Sequence, residues 1–501
     1  MPIYAAVDLG ATSGRVVNVE IGSERISLDL VHRFHSPTVS GPNGALFWEI
    51  DRLFSEVGIG LGRAAERARL QSVAIDSWAV DYGLLDEKAE IVGPVHAYRS
   101  HRTDGVMESV VGRLGRARIY QVTGIQFLPF NTMYQLAASL SSGELEGASR
   151  LLMIPDLINN HLCGSTTNEV TNASTTQLLD ARTHRWSGEL CEALGIRPSL
   201  LPSLHLPGAA LGTIRRELTA QHPALEGLSV VAAASHDTAS AIAGTPLRSS
   251  QPSIYISCGT WALIGSELTA ALTTDEALAA NVTNELGVGN SIRFLKNVTG
   301  LWLLEECRRS WESTGSSLRI DELVAAASSL RGGRAVIDPD DDRLLGSDDM
   351  PNKIRAVCQA TSQEVPVTPA DVTRIIIDSL ALSFRRTVRT IETISRRPAE
   401  VIHFVGGGSS NTLLTRLTAS ACERRVLCGP VEATVVGNAL VQAISDGVLD
   451  DLDQGRGLVE SALPSTVVEP EQTLDWASLE DRLAASNVGA REGSTGRRRT
   501  R

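Results

Sequence analysis

No close CxxC pair occurs among the seven cysteines, and the ten histidines form no short metal-ligand pattern. Scattered thiols in odd number argue against a disulfide framework and for a reducing compartment, so the cytoplasm is expected. No apolar run reaches the ~18 residues of a membrane helix, and no basic, apolar leader precedes the first strand pattern, so no membrane partner is expected. Net positive charge is also missing. With 46 Lys and Arg against 58 Asp and Glu, the formal charge of -12 excludes a protein that binds nucleic acid through many cationic phosphate contacts. Aromatic residues are sparse at 4%, yet apolar residues make up 43% and charged ones 21%, the balance of a globular protein. A chain of 501 residues is too long for one growing core and implies two domains.

Glycine-bearing turns carry the first chemical signal. Asp8-Leu-Gly-Ala-Thr-Ser-Gly-Arg15 lies between the apolar runs Tyr4–Val7 and Val16–Val19. Two strands joined by such a turn offer backbone N–H groups and small hydroxyls to a phosphate, and Asp8 offers a carboxylate to its metal. A related hairpin returns at Ser253–Gly265 around Ser257-Cys-Gly-Thr-Trp261, which suggests two similar lobes serving one nucleotide. A third segment, Gly406-Gly-Gly-Ser-Ser-Asn411, follows the apolar strand Glu400–Val405. Consecutive glycines admit a flat ring against the backbone, or simply make a tight turn. Neither the GxxxxGK[ST] phosphate loop nor the GxGxxG dinucleotide pattern is present.

A strand, Val230–Ser235, leads to His236-Asp237-Thr238 at the head of a helix. Asp237 there is either an N-terminal cap or the base that takes a hydroxyl proton as a phosphoryl group arrives, with His236 on a neighbouring hydroxyl. Asp76, Trp78, Asp81, Gly83, Arg99, Arg102 and Asn131 form a scatter of polar and aromatic groups suited to a polyhydroxylated ligand or to the surface. Spacing predicts helices over 51–69, from about Thr299 to Trp311, over 368–394 behind the start signal Thr368-Pro-Ala-Asp371, and over 433–446. Asn168–Thr176 is polar enough to read as a loop near the site, and Gly244–Pro252 reads as the domain linker. The basic end, Arg497–Arg501, is expected to be disordered.

These glycine segments and the His236-Asp237-Thr238 strand end resemble the FGGY family of carbohydrate kinases. Further stretches carry the likeness: Ile75-Asp-Ser-Trp-Ala-Val-Asp-Tyr82, Tyr98-Arg-Ser-His-Arg-Thr103, Thr123–Thr132, Asn284-Glu285, Leu295–Leu304, Met350-Pro-Asn-Lys-Ile354 and Gly429-Pro-Val-Glu-Ala433. Together they span about residues 3 to 450. The resemblance implies an α/β, two-lobed ribonuclease H-like, actin-like ATPase fold with an inter-lobe active-site cleft. It divides the chain into 1–246, for sugar binding and the base, and 247–455, for the nucleotide; 485–501 lies outside the resemblance and is expected from its composition to be a disordered basic tail. It implies ATP as co-substrate with Mg2+, and L-rhamnulose as acceptor giving L-rhamnulose 1-phosphate, a step of L-rhamnose catabolism. The alternatives are another deoxyketose or pentulose such as L-fuculose, or a non-catalytic sugar-binding regulatory protein.

By the same resemblance Asp237 is the general base, and Gly83, His236, Asp237 and Thr238 meet the sugar. Ala11, Thr12, Ser13, Gly14, Arg15, Thr260, Asn297, Glu305 and Gly407 match nucleotide-contacting positions, with Glu305 standing where the family pattern has an amide. Asp8 is the metal residue. The partners are a small ketose and Mg-ATP, as a monomer or homo-oligomer.

Overall fold

In the computed structural model, residues 1–36, 38–248, 250–344 and 349–485 are described, and they form two compact units. The first unit opens with a meander of β1 (Ile3–Leu9), β2 (Ser13–Ile21) and β3 (Ile26–His35), followed by helix α1 (Ile50–Arg67) and β4 (Ser72–Ser77). An antiparallel pair of β5 (Tyr82–Leu85) and β6 (Arg150–Met153) stands apart from the main sheet. β7 (Ala210–Thr213) and β8 (Ser229–Val231) complete that sheet in the order β7-β8-β4-β1-β2-β3, and helix α2 (Asp237–Ala243) follows β8. β1 pairs antiparallel with β2 and parallel with β4, and β4 pairs parallel with β8.

The second unit begins beyond residue 248. β9 (Ser253–Cys258) pairs antiparallel with β10 (Trp261–Leu268) through residues 255–258 and 262–265. Later segments alternate between the units. Residues 266–295, with the hairpin of β11 (Thr283–Leu286) and the start of β12 (Ile292–Thr299), belong to the first, and residues 296–431 to the second. There α3 (Trp302–Ser313) and the long α4 (Pro369–Ser395) precede β13 (Val401–Val405), α5 (Thr412–Cys422) and β14 (Arg425–Cys428). β13 lies parallel to both β9 and β14, the pattern that β4 makes with β1 and β8. Helix α6 (Ala433–Ser445) returns the chain to the first unit, and β15 (Thr466–Val468) ends on β14 in the second.

Strand periodicity explains why α6 goes back. Side chains alternate across a pleated sheet, so Ala5, Val7 and Leu9 of β1 join a core cluster with Leu53, Val57, Leu61 and Ala64 of α1. Tyr4 and Ala6 point the other way, into a second cluster with Val435, Val436, Ala439, Leu440 and Ala443 of α6. A strand apolar on both faces needs a covering layer on each, and the distant helix α6, with Leu449, Leu458 and Val459 beyond it, supplies the second one.

Two local expectations change. Asn168–Thr176 is not a loop: it is wholly buried as a short strand, one helical turn and a 3-10 turn. The helix expected from Thr299 starts at Trp302, because Thr299 still belongs to β12 and its N–H and hydroxyl both bond Asp340, at 2.8 and 2.7 Å. The expected disordered tail falls almost entirely on residues 486–501, outside the described residues. All seven cysteines are free. No described helix is long and apolar enough to cross a membrane.

Candidate active site

The parallel register sets Asp8 of β1 opposite Asp76 of β4, and the antiparallel one sets it opposite Arg15 of β2. Arg15 Nε and Nη2 each lie 2.8 Å from Asp8 Oδ2, and Arg15 also pairs with Glu432, just ahead of α6. The turn between the strands closes with Gly10 N–H on the Ser13 carbonyl at 3.0 Å. Thr12 is exposed at its tip, with Ala11 and Ser13 half-buried beside it. Gly14 is required by packing, since a Cβ there would stand 2.4 Å from Phe34 Cζ.

Asp76 is wholly buried. Its Oδ2 accepts from Asn438 Nδ2 of α6 at 2.6 Å, whereas Oδ1 has no hydrogen-bond partner among the described residues. Burial pushes the carboxyl well above its ordinary range, and the negative charges of Asp8 and Asp237 add to that, against the Asn438 hydrogen bond and Arg15. An unpartnered carboxylate oxygen beside Asp8 is an all-oxygen donor set fitted to a hard divalent cation. Among the described residues no three His, Cys, Asp or Glu side chains form a complete metal cage. Two carboxylates suit an ion such as Mg2+, which is held by one or two carboxylates and otherwise by water and phosphate.

Asp237 opens α2 immediately beyond the sheet. Ser77 N–H bonds the Ser235 carbonyl at 2.9 Å, so the backbone ladder continues past β8 to the site. Glu169, in the buried polar segment, receives Ser235 N–H at 2.9 Å and Ser235 Oγ at 2.8 Å, and Thr171 Oγ1 receives His236 N–H at 3.2 Å. This anchoring explains why so polar a stretch is buried: its side chains hold the strand end that presents Asp237. The Asp237 side chain is 31% exposed, and its Oδ1 accepts from Thr238 N–H at 2.6 Å and Thr238 Oγ1 at 3.1 Å. Desolvation raises its pKa, opposed by His236 and by the Thr238 hydrogen bonds and reinforced by Asp8. It therefore sits at a helix start and also keeps a carboxylate oxygen accessible.

The other sequence-predicted residues fall into two sets. In the first unit Gly83 lies in β5, where a Cβ would come within 2.6 Å of Leu157 Cδ2. Trp78 packs on Trp48 at 4.1 Å between ring centroids, and both indoles donate to Asp81 Oδ2. Gln135 links Asp81 to Arg102, Asn131 donates to Gln126 and Gln177, and Arg99 is exposed over the Tyr98 ring.

In the second unit the turn at Gly259 and Thr260 packs on the segment entering α3: the Thr260 carbonyl accepts from Gly300 and Trp302 N–H groups. Asn297 is half-buried near the end of β12. Glu305 of α3 is bound by Arg308 Nη2 at 2.7 Å and Nε at 3.0 Å. The three glycines after β13 divide by role. A Cβ at Gly406 or Gly408 would meet Cys258 at 3.0 and 2.9 Å, whereas nothing lies within 4 Å of one at Gly407 or Gly259. Two of the three are needed by packing, and Gly407 with Gly259 borders open space that a ligand could enter.

Glu169, Asn438 and Glu432 were not singled out from the sequence. Arg293, which lies 3.0 Å from His236 Nδ1 and 3.1 Å from Glu285, was missed as well. Glu169 lies in the polar segment read as a loop near the site and Glu432 in a stretch that carried the resemblance, whereas Asn438 and Arg293 are lone polar residues without a local pattern.

The fold and this constellation define a two-domain α/β sugar kinase. Sequence models of the family's N-terminal and C-terminal domains match residues 3–244 and 254–445, and the chain belongs to the FGGY family of carbohydrate kinases. It is 41% identical over 479 residues to a rhamnulokinase of Pectobacterium carotovorum subsp. carotovorum (strain PC1), covering 94% of each chain. It is 38% identical over 458 residues to a rhamnulokinase of Oceanobacillus iheyensis, covering 91% of this chain and 96% of the relative. Among solved structures, ligand-bound xylulose kinase from Lactobacillus acidophilus superposes with a TM-score of 0.80 at 15% identity over 97% of both chains. Plasmodium falciparum glycerol kinase with ADP gives 0.75 at 13% identity over 98% of both. At such low identity these two similarities establish the fold alone.

Proposed function

We propose that this chain transfers the γ-phosphoryl group of ATP to the primary hydroxyl of L-rhamnulose, giving L-rhamnulose 1-phosphate and ADP in the cytoplasm. The substrate follows from the rhamnulokinase relatives at about 40% identity over nearly the whole chain. The observation that carries the chemistry is a partly exposed Asp237 carboxylate, beside His236, at an anchored strand end.

The sugar hydroxyl is a weak nucleophile until its proton leaves. Asp237 takes that proton as the oxygen bonds to the γ-phosphorus and the bond to ADP breaks. His236 and Thr238 bind neighbouring sugar oxygens, and the Gly83 backbone borders the ring. Asp8, with Asp76 behind it, is placed to hold Mg2+, which when bound neutralises charge on the ATP phosphates. Ala11 to Arg15 serve the terminal phosphates. In the second unit Thr260 and Asn297 serve the phosphate end, and Gly407 leaves room for the nucleoside. Glu305 matches a nucleotide position, but its carboxylate is engaged by Arg308, so we assign it to holding α3.

ADP release measured across L-rhamnulose, L-fuculose, L-ribulose, L-xylulose and glycerol tests this reading. Preference for L-rhamnulose is expected; its rejection together with turnover of another ketose would remove the substrate assignment. Asp237→Asn should cut kcat by about 10²–10⁴ and leave ketose binding by calorimetry intact. Normal turnover in that variant would exclude the base role.

A further inference from the structure

His236 is gripped from behind by two buried charges. On the β11–β12 hairpin Glu285 and Arg293 are register partners, 5% and 0% exposed, with Arg293 Nη2 3.1 Å from Glu285 Oε2. Arg293 Nε donates to the Leu286 carbonyl at 3.0 Å, and Leu286 N–H is held by Ser174 Oγ at 3.0 Å. Arg293 Nη2 lies 3.0 Å from His236 Nδ1, and Glu285 Oε2 is 3.3 Å from that same nitrogen.

Nδ1 therefore has two candidate roles, donor to Glu285 or acceptor from Arg293. A guanidinium carries donors only and does not lose its proton in proteins. A proton on Nδ1 would set donor against donor at the shorter of the two distances, and the Glu285 carboxylate already has its cation. The shorter contact favours a lone pair at Nδ1, which leaves the ring proton on Nε2. Nε2 lies 3.4 Å from Asp237 Oδ1, so the N–H is directed to the side on which Asp237 works.

Resting on the assignment of His236 to the ketose site, we propose that Arg293, pinned by Glu285, is a positioning residue that fixes His236 in its Nε2–H tautomer. Nε2 is thereby an obligate donor to a ketose oxygen adjacent to the reacting hydroxyl. The consequence is a division of labour. His236 can accept no proton from the sugar, so Asp237 alone takes the hydroxyl proton. The opposite tautomer would aim a lone pair at the Asp237 carboxylate and compete with it for that proton.

Two-bond 1H–15N correlation on the full chain labelled with 15N-histidine tests this, without sugar or nucleotide at pH 7. The His236 signals are identified by their loss in His236→Asn. A pyridine-type Nδ1 and a pyrrole-type Nε2 are expected; a protonated Nδ1, alone or in an imidazolium, would overturn the proposal. The double variant Arg293→Met with Glu285→Met removes both charges and strands neither. It should abolish the tautomer preference and raise the ketose KM about tenfold, with a smaller change in kcat and none in the KM for ATP. Wild-type tautomer and ketose KM in a folded double variant would also overturn it; if that variant fails to fold, the wild-type spectrum decides. Turnover of L-rhamnulose by an enzyme whose His236 carries its proton on Nδ1 would sink this inference and spare the substrate assignment. An Nε2–H ring in an enzyme that uses another ketose would do the reverse.

Discussion

Asp237 is a carboxylate with opposing influences on it, and the balance has a kinetic consequence. Burial and Asp8 raise its pKa, while His236 and Thr238 lower it. A base with a raised pKa is protonated, and so inactive, up to a higher pH. The acid limb of kcat/KM for the ketose should lie above the ordinary aspartate value near 4, with activity rising with pH through it. Removing the opposing hydrogen bond of the Thr238 hydroxyl in Thr238→Val should move that limb to higher pH, as read from pH–rate profiles of the two proteins. Asp81 offers a separate test, in stability. Burial pushes its carboxyl up to about 6, against hydrogen bonds from Gln135, Trp48, Tyr98 and Trp78. Because the folded value exceeds the unfolded 3.8, the native state binds the extra proton between the two. This contribution is full below about pH 4 and is lost as pH rises through about 6, amounting to about 3 kcal/mol. Urea unfolding should show the stability of wild type minus that of Asp81→Asn falling by that amount between about pH 4 and about pH 7.

Among the elements, the crossing of α2 and α6 decides where Asp237 stands. A Cβ at Gly437 would lie 1.8 Å from the Ser240 carbonyl oxygen and 2.6 Å from Gly244 N, and one at Gly244 would lie 2.2 Å from the Ala433 carbonyl oxygen. Backbone cannot yield as a flexible side chain can, so Gly437→Ala should cost about 3 kcal/mol or more in chemical denaturation. Displacement of α2 should lower kcat in molecules that stay folded. Legibility also differed by element. The β1–β2 hairpin could be read because Gly-Ala-Thr-Ser-Gly interrupts two apolar runs. Helix α4 could be read because Thr368 and Asp371 cap its start reciprocally. Asn168–Thr176 could not be read: its polarity signals exposure, and it is buried only because Glu169 and Thr171 find partners in Ser235 and His236, more than 60 positions away in sequence.

For the molecule as a whole, the order of the chain differs from the order of its compact units. The first unit runs to residue 248, and 266–295 and 432–464 rejoin it. Helix α6 supplies Gln442 to the Ala5 carbonyl and to Ser72, and Asn438 to Asp76, besides covering one face of β1. A chain cut after residue 431 should therefore lose the cooperative unfolding transition of the first unit in calorimetry, although every residue of its sheet remains. A retained transition would show that the sheet and α1 suffice.

Some of this protein was fixed by order along the chain alone: the two glycine hairpins, a strand ahead of His236-Asp237-Thr238, though it ends at Val231 and not at Ser235, the long capped helix and the family they indicate. Those signals lie within a few residues of one another, where turn geometry, pleat and helical period act directly. Tertiary structure alone decided that Asp76 keeps an oxygen unpartnered among the described residues, that Gly407 and not its two neighbours borders open space, and that Arg293 stands behind His236. These features depend on distance and burial between residues far apart in sequence, and no local spacing encodes them.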